Sequence, residues 1–290
     1  MSMLMDVLRD LRASRNSRTQ EARPAAPEPP TDLYIELLKR CISNSIYDDD
    51  LDLMAAAAAL DPTSGKMRAV EAVPASDDAK FYGQIWPSRA HTMIGIPRLN
   101  NLRYCVETAL KDGVRGDLIE TGVWRGGASI FMRGILKAYG VTDRTVWVAD
   151  SFAGLPPPDR INYPKESPLE FHTSGDLAVS LDQVKGNFER YGLLDSQVRF
   201  LKGWFRDTLP TAPIERLAVI RLDGDMYEST MDGFVNLYPK LSPGGFLIVD
   251  DYGAVDACNV AVADFRNAQH ISAELKFITG CGAYWRKDAG

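Results

Sequence analysis

Between residues 117 and 250, short apolar runs alternate with amphipathic stretches, and this alternation leaves the chain few architectures to adopt. Asp117–Thr121, Thr145–Asp150, Val198–Lys202, Leu217–Asp223 and Phe246–Asp250 read as strands. Ser129–Tyr139, Leu181–Tyr191 and Thr230–Leu241 read as the helices between them. The strands are apolar almost throughout, as expected where a parallel sheet is covered by crossover helices on both faces. Ahead of this unit, Leu33, Leu37, Leu38, Cys41 and Ile42 carry helical spacing within Asp32–Tyr47, and a second helix is expected from Pro97 to Lys111. Behind it, Ala257–Gln269 reads as a helix, and Leu275–Thr279 and Gly282–Arg286 flank a Gly-Cys turn as a closing hairpin. At 290 residues, 45% hydrophobic and 25% charged, the chain suits one large α/β domain or two small ones.

The front of the chain differs. Met1–Gln20 sets Leu4, Val7, Leu8 and Leu11 among charged residues, which predicts a short amphipathic helix rather than a secretion signal. A proline-rich linker follows to about residue 30. Ala55–Leu60 has helix-favouring composition, but Pro62, Gly65 and Pro74 make residues 48–88 a helix-poor cover or lid. No run of about 18 apolar residues occurs, so no spanning helix and no membrane partner are expected. Four scattered cysteines suit a reducing, cytoplasmic setting. Lys+Arg 33 against Asp+Glu 39 leaves a charge of −6, which disfavours nucleic acid as a partner. The three histidines, His91, His172 and His270, are too dispersed for a zinc site, so any metal should have oxygen ligands. His91 and His172 are expected to be structural rather than to touch an acceptor.

The first strand runs into Gly122-Val123-Trp124-Arg125-Gly126-Gly127 and then a helix, at the edge where open α/β sheets bind ligands. Free N–H groups at that helix start, joined by the Ser129 hydroxyl, would favour an anionic group. The spacing misses the dinucleotide fingerprint G-x-G-x-x-G, which weakens an NAD-binding reading. Asp150 ends the second strand, where a carboxylate can accept both hydrogen bonds of a ribose diol. With Glu120 and the glycine turn, this is the layout of an S-adenosylmethionine pocket. Asp223-Gly224-Asp225 and Asp250-Asp251 close two further strands and bring mutually repelling carboxylates to one edge. A divalent cation would relieve that repulsion. Mg²⁺ suits an oxygen-only set, with Asp223, Asp250 and Asp251 as its ligands.

ETGVWRGG, ADSFAGLPPPD, GWFRDTLP, LDGDMYEST and IVDDYG, in this order, closely resemble the macrocin O-methyltransferase family, as do DLYIELLKRCISNSIYDDD and AHTMIGIPRLNNL nearer the front. The resemblance implies a Rossmann-like class I methyltransferase fold with a mostly parallel seven-stranded sheet, a closing antiparallel hairpin and an N-terminal helical lid. It divides the chain into an extension (1–30), a lid region (31–100) and a methyltransferase domain (101–290). It further implies Mg²⁺-dependent transfer of a methyl group from S-adenosylmethionine to a sugar hydroxyl of a glycosylated natural product. By the same resemblance Glu120, Gly122, Gly126, Ser129, Asp150 and Ser151 line the donor pocket, Thr92 and Met93 close over it, and Trp204 lies by the adenine. Asp225 matches the general base, with Asp223 the alternative, and a homodimer is possible as in relatives. The proline-rich stretch 152–176 and residues 48–95 are expected to cover a small-molecule glycoside. A phenolic or other diol acceptor, a non-catalytic binding module and an NAD-dependent protein are the competing readings.

Overall fold

The computed structural model describes residues 29–47, 49–53, 76–166 and 169–288. The expected amphipathic start, most of the proline-rich linker and the Ala55–Leu60 helix lie outside the described residues. In chain order the helices are α1 (Pro30–Ile42), α2 (Asp77–Tyr82), α3 (Gly95–Lys111), α4 (Gly127–Ala138), α5 (Leu181–Arg190), α6 (Phe205–Thr208), α7 (Tyr227–Leu237) and α8 (Asp256–Ala268). The strands are β1 (Asp117–Thr121), β2 (Val146–Asp150), β3 (Val198–Lys202), β4 (Leu217–Leu222), β5 (Leu241–Val249), β6 (Lys276–Phe277) and β7 (Ala283–Arg286).

These seven strands form one sheet in the order β3-β2-β1-β4-β5-β7-β6. The first five are parallel, and β7 pairs antiparallel with both β5 and β6. The expected α/β architecture with its closing hairpin is therefore present. Side chains alternate between two cores, as the period of a strand requires. Leu118, Val148, Val219 and Phe246 face one core with α1, α3, α4 and α5. Ile119, Trp147, Ile220 and Leu247 face the other with α7 and α8, where Phe234 and Phe265 stack at 4.5 Å beside fully buried Trp285. The order reverses about β1 and β4, which makes their carboxyl ends the switch point of the sheet.

Several boundaries differ from the sequence reading. α1 begins at Pro30, where a first-turn proline loses no hydrogen bond, and stops at Ile42 instead of Tyr47. There Ser43 Oγ donates back to the Lys39 carbonyl at 2.9 Å. α3 starts at Gly95 and takes Pro97 into its first turn. Residues 48–88 were expected to be helix-poor, yet α2 lies among them, capped by Ser76 accepting from the Ala79 amide. β5 extends back to Leu241, since Gly244 and Gly245 pair with Lys287 beyond β7.

α1 and the segment before α3 are fastened to the sheet domain through His91. Its amide donates to Ile42, its carbonyl accepts from Gly127, and its Nδ1 lies 2.6 Å from the Tyr191 hydroxyl. Burial, with Arg190 and Arg125 nearby and Asp50 opposing them, lowers the His91 pKa to about 4. The folded protein thus favours the neutral ring, and the unfolded chain takes up the proton first, near pH 6.5. The stabilisation is complete above that value and is lost as pH falls toward about 4. Melting temperature measured from pH 7 to pH 5 should therefore fall more steeply for the wild type than for His91→Phe. Parallel curves would remove His91 from the account.

Candidate active site

A cavity of about 430 Å³ opens at the carboxyl ends of the parallel strands, and the residues following each of β1 to β5 contribute to its wall. The turns after β1 and β4 interlock. Asp223 donates its amide to the Thr121 carbonyl, and a Cβ on Gly122 would sit 1.5 Å from the Asp223 carbonyl oxygen. Gly122 also adopts φ +81°, so only glycine fits. This contact holds the glycine turn and the acidic turn at a fixed separation.

On the glycine-turn side, Asp150 accepts from the Val123 amide at 2.8 Å and the Phe152 amide at 2.7 Å. Burial raises its pKa while these bonds oppose the rise. Each carboxylate oxygen can accept more than one bond, so both remain competent toward a diol. Thr92, Met93, Glu120, Gly122, Asp150, Ser151 and Trp204 all lie on the cavity wall, as expected. Gly126 and Ser129 do not. Gly126 faces Val184, and the fully buried Ser129 hydroxyl donates to Glu120 instead of reaching the cavity. One N–H at the start of α4, that of Gly127, is also taken by the His91 carbonyl, so the anion site expected there is largely occupied by the protein itself. His91 and His172 lie off the wall, His172 beside Glu170.

On the acidic side, Asp223, Asp250 and Asp251 each place one carboxylate oxygen within 4.8 Å of the other two. Asp225 stands in the left-handed region at φ +59°, and its amide donates to Asp251 Oδ2 at 2.8 Å. Burial first, then mutual repulsion, raises Asp223 to about 6, Asp225 to about 7 and Asp251 well above the ordinary carboxylate range. Glu120 is raised to about 7, chiefly by burial, against the pull of Arg221.

Two arginines that sequence reasoning passed over hold this cluster together. Arg221, 1% exposed and next to last in β4, sets Nη1 2.6 Å from Glu120 and 2.7 Å from Asp223, and its Nη2 forms an ion pair with Asp250 Oδ1. Arg221 Nη2 is thereby the cation that compensates the buried Asp250 Oδ1. Arg98, from α3, pairs with the other Asp250 oxygen. The sequence did carry a signal for Arg221: a lone charge in an otherwise apolar, doubly covered strand requires a partner. Arg98 gave none, since 152 positions separate it from Asp250.

The oxygen-only donor set, with one oxygen each of Asp223, Asp250 and Asp251 within 4.8 Å of the others and the proton affinities of Asp223 and Asp251 raised, fits a hard divalent cation. The loop after β2 lines the cavity and is tied at its middle and near its end. Trp124 Nε1 donates to the Asp176 carbonyl at 2.9 Å, and the buried Glu166 carboxylate accepts the Tyr227 and Glu228 amides at the start of α7, both at 3.1 Å. Phe171 of this loop meets Trp86 at 6.3 Å between ring centroids.

Residues 31–287 match the family described as Macrocin-O-methyltransferase (TylF). The chain belongs to the macrocin O-methyltransferase family. It is accordingly an O-methyltransferase, and membership implies S-adenosylmethionine as methyl donor. The chain is 54% identical over 259 residues to an 8-demethyl-8-(2,3-dimethoxy-alpha-L-rhamnosyl)-tetracenomycin-C 4'-O-methyltransferase of Streptomyces olivaceus, covering 89% of this chain and 94% of that one. It is 51% identical to the mycinamicin III 3''-O-methyltransferase of Micromonospora griseorubida, covering 91% of this chain and all of the relative. Among solved structures, the O-methyltransferase NovP superposes with a TM-score of 0.79 at 47% identity, covering 89% of this chain and 99% of that chain. The non-catalytic and NAD-dependent readings are thereby set aside.

Because Arg221 compensates three carboxylates of this O-methyltransferase at once, removing it leaves buried charge without a partner. Arg221→Met should cost about 3–5 kcal/mol in a denaturant titration. Breaking the exposed Arg160–Glu170 pair should cost less than about 1 kcal/mol. Similar costs for both would show that the buried network is not the stabilising element described above.

Proposed function

We propose that this enzyme methylates a sugar hydroxyl of a glycosylated natural product in the cytoplasm, using a Mg²⁺ ion held by Asp223, Asp250 and Asp251, with Asp225 as the proton acceptor. The single observation that carries the reading is the convergence of four aspartates from the ends of β4 and β5 on a cavity whose other side bears Glu120 and Asp150. The relatives support the acceptor class, since two are named for transfer to positions on glycosylated tetracenomycin and mycinamicin compounds.

An alcohol is a weak nucleophile at neutral pH because it holds its proton tightly. When bound, the ion supplies Lewis acidity toward the hydroxyl, and the sulfonium donor supplies an activated methyl group. Asp225 lies at the same strand end as Asp223, and its burial favours taking up a proton. It takes the hydroxyl proton as the new C–O bond forms and the old S–C bond breaks with its electron pair going to sulfur. Thr92 and Met93 on one side and Trp204 on the other bound the donor half of the cavity, and Trp86 with Phe171 bounds its mouth. Together these walls exclude water and hold the two reactants in line.

With radiolabelled donor and a rhamnosyl macrolide as acceptor, Asp225→Asn should lower kcat by about 10²–10⁴-fold while S-adenosylhomocysteine still binds. EDTA should abolish turnover and added Mg²⁺ restore it. Full activity in EDTA would remove the ion from the reading. Methylation of an aminocoumarin phenol in preference to the glycoside would replace the sugar with a phenolic acceptor.

A further inference from the structure

The guanidinium of Arg98 is built into the protein more thoroughly than a simple ion pair requires. Its side chain is 8% exposed, and one nitrogen meets the Asp250 carboxylate, itself 4% exposed. The remaining donors are spent on the chain segment that precedes α3. Nε donates to the Ile94 carbonyl at 2.5 Å, and Nη2 donates to the Gly83 carbonyl at 3.1 Å and reaches the Met93 carbonyl at 3.5 Å. The backbone is shaped around this fork. Gly83 and Gly95 both lie in the left-handed region, at φ +65° and +70°. A Cβ on Gly83 would sit 2.5 Å from Arg98 Nη2, and one on Gly95 would sit 2.5 Å from the Gly83 amide nitrogen. Two glycines packed against each other thus leave a slot that the guanidinium fills.

Thr92 and Met93 lie inside this same segment and form part of the donor wall, while Asp250 belongs to the acidic cluster. We propose that Arg98 is a positioning residue that fastens the Gly83–Gly95 segment, and with it the Thr92–Met93 wall of the donor pocket, to the Asp250 carboxylate. Arginine suits this role because its planar fork can address a carboxylate and backbone carbonyls simultaneously, which a lysine ammonium on a flexible stem cannot. The consequence is that the donor pocket and the acidic cluster are not independent. A change at Asp250 is transmitted to the backbone over the donor, and loosening that backbone releases one of the charges balancing Asp250. The inference rests on the reading above only in taking S-adenosylhomocysteine as the probe of the donor pocket.

Hydrogen exchange on the full-length protein in EDTA, read by mass spectrometry, tests the fastening without calling on catalysis. Arg98→Met and Asp250→Ala should each speed exchange of the amides of residues 83–95 by at least tenfold and leave those of β1 and β2 unchanged. The double variant should behave like Arg98→Met alone, since the one contact that Asp250→Ala removes from this fork is already lost with the guanidinium. Calorimetric titration should show S-adenosylhomocysteine bound about tenfold more weakly by Arg98→Met, with Arg98→Lys between it and the wild type. Wild-type exchange in residues 83–95 of Asp250→Ala would overturn the proposal, because Arg98 would then act on the local carbonyls alone. Unaltered donor-product affinity in Arg98→Met would overturn it as well. Should Arg98→Met fail to fold, the Asp250→Ala exchange decides by itself. Failure of the functional reading is separately visible as absence of methyl transfer or of donor-product binding in the wild type, and leaves the exchange result standing.

Discussion

A guanidinium buried near the carboxyl end of a doubly covered strand is the constraint around which this site is organised. Arg221 has no water to solvate it, so carboxylates must, and Glu120, Asp223 and Asp250 are placed on three neighbouring strand ends to do so. Charge compensation nonetheless stops short. Among the described residues, Arg221 and Arg98 are the cations paired with this cluster, and the excess of acid shows as raised proton affinities of Glu120, Asp223, Asp225 and Asp251. A site built this way either holds protons or attracts a cation. The excess that raises these affinities sits beside the cavity, where a proton or a cation can reach it.

The backbone at the strand ends carries comparable tension. Trp124, Phe152 and Asp225 all adopt positive φ, and they follow β1, β2 and β4 respectively. Such conformations persist only where the surroundings enforce them. Here the enforcement is visible: the Trp124 indole donates to Asp176 beneath the Arg125 guanidinium, Phe152 is buried with its amide on Asp150, and the Asp225 amide is held by Asp251. Each strained residue is thus tied to a carboxylate or loop that also lines the cavity, so the walls and the turns stabilise one another.

The sheet was legible in the sequence because burial on both faces leaves a nearly continuous apolar run, as in β1 and β2. The acids at the strand ends were legible for the same reason, since they mark where apolar residues stop. What escaped were the features set by distant partners. The role of Ser129 depends on Glu120 having turned inward to meet Arg221, which no spacing encodes. Arg98 sits in a helix whose periodicity concerns packing, and its carboxylate partner lies two elements beyond the switch point. The α1 boundary slipped because a serine back-bond, not a change in hydrophobic pattern, ends the helix.

The cavity wall also limits how an acceptor can be held. The cationic side chains on it among the described residues are Arg98 and Arg206, and both are engaged, by Asp250 and by Glu228. The apolar side chains on the wall include Trp86, Leu155, Pro156, Phe171 and Met226. Such a surface offers apolar area and hydrogen-bond acceptors but no charge for a phosphate to pair with. Recognition therefore falls to shape and desolvation at the mouth and to hydroxyl hydrogen bonds at the acidic floor. Those two contributions sit on different parts of the chain, the loops and the strand ends. On the proposed reading, substitutions in the loop after β2 then alter which acceptor fits while the acidic cluster at the ends of β4 and β5 stays as it is.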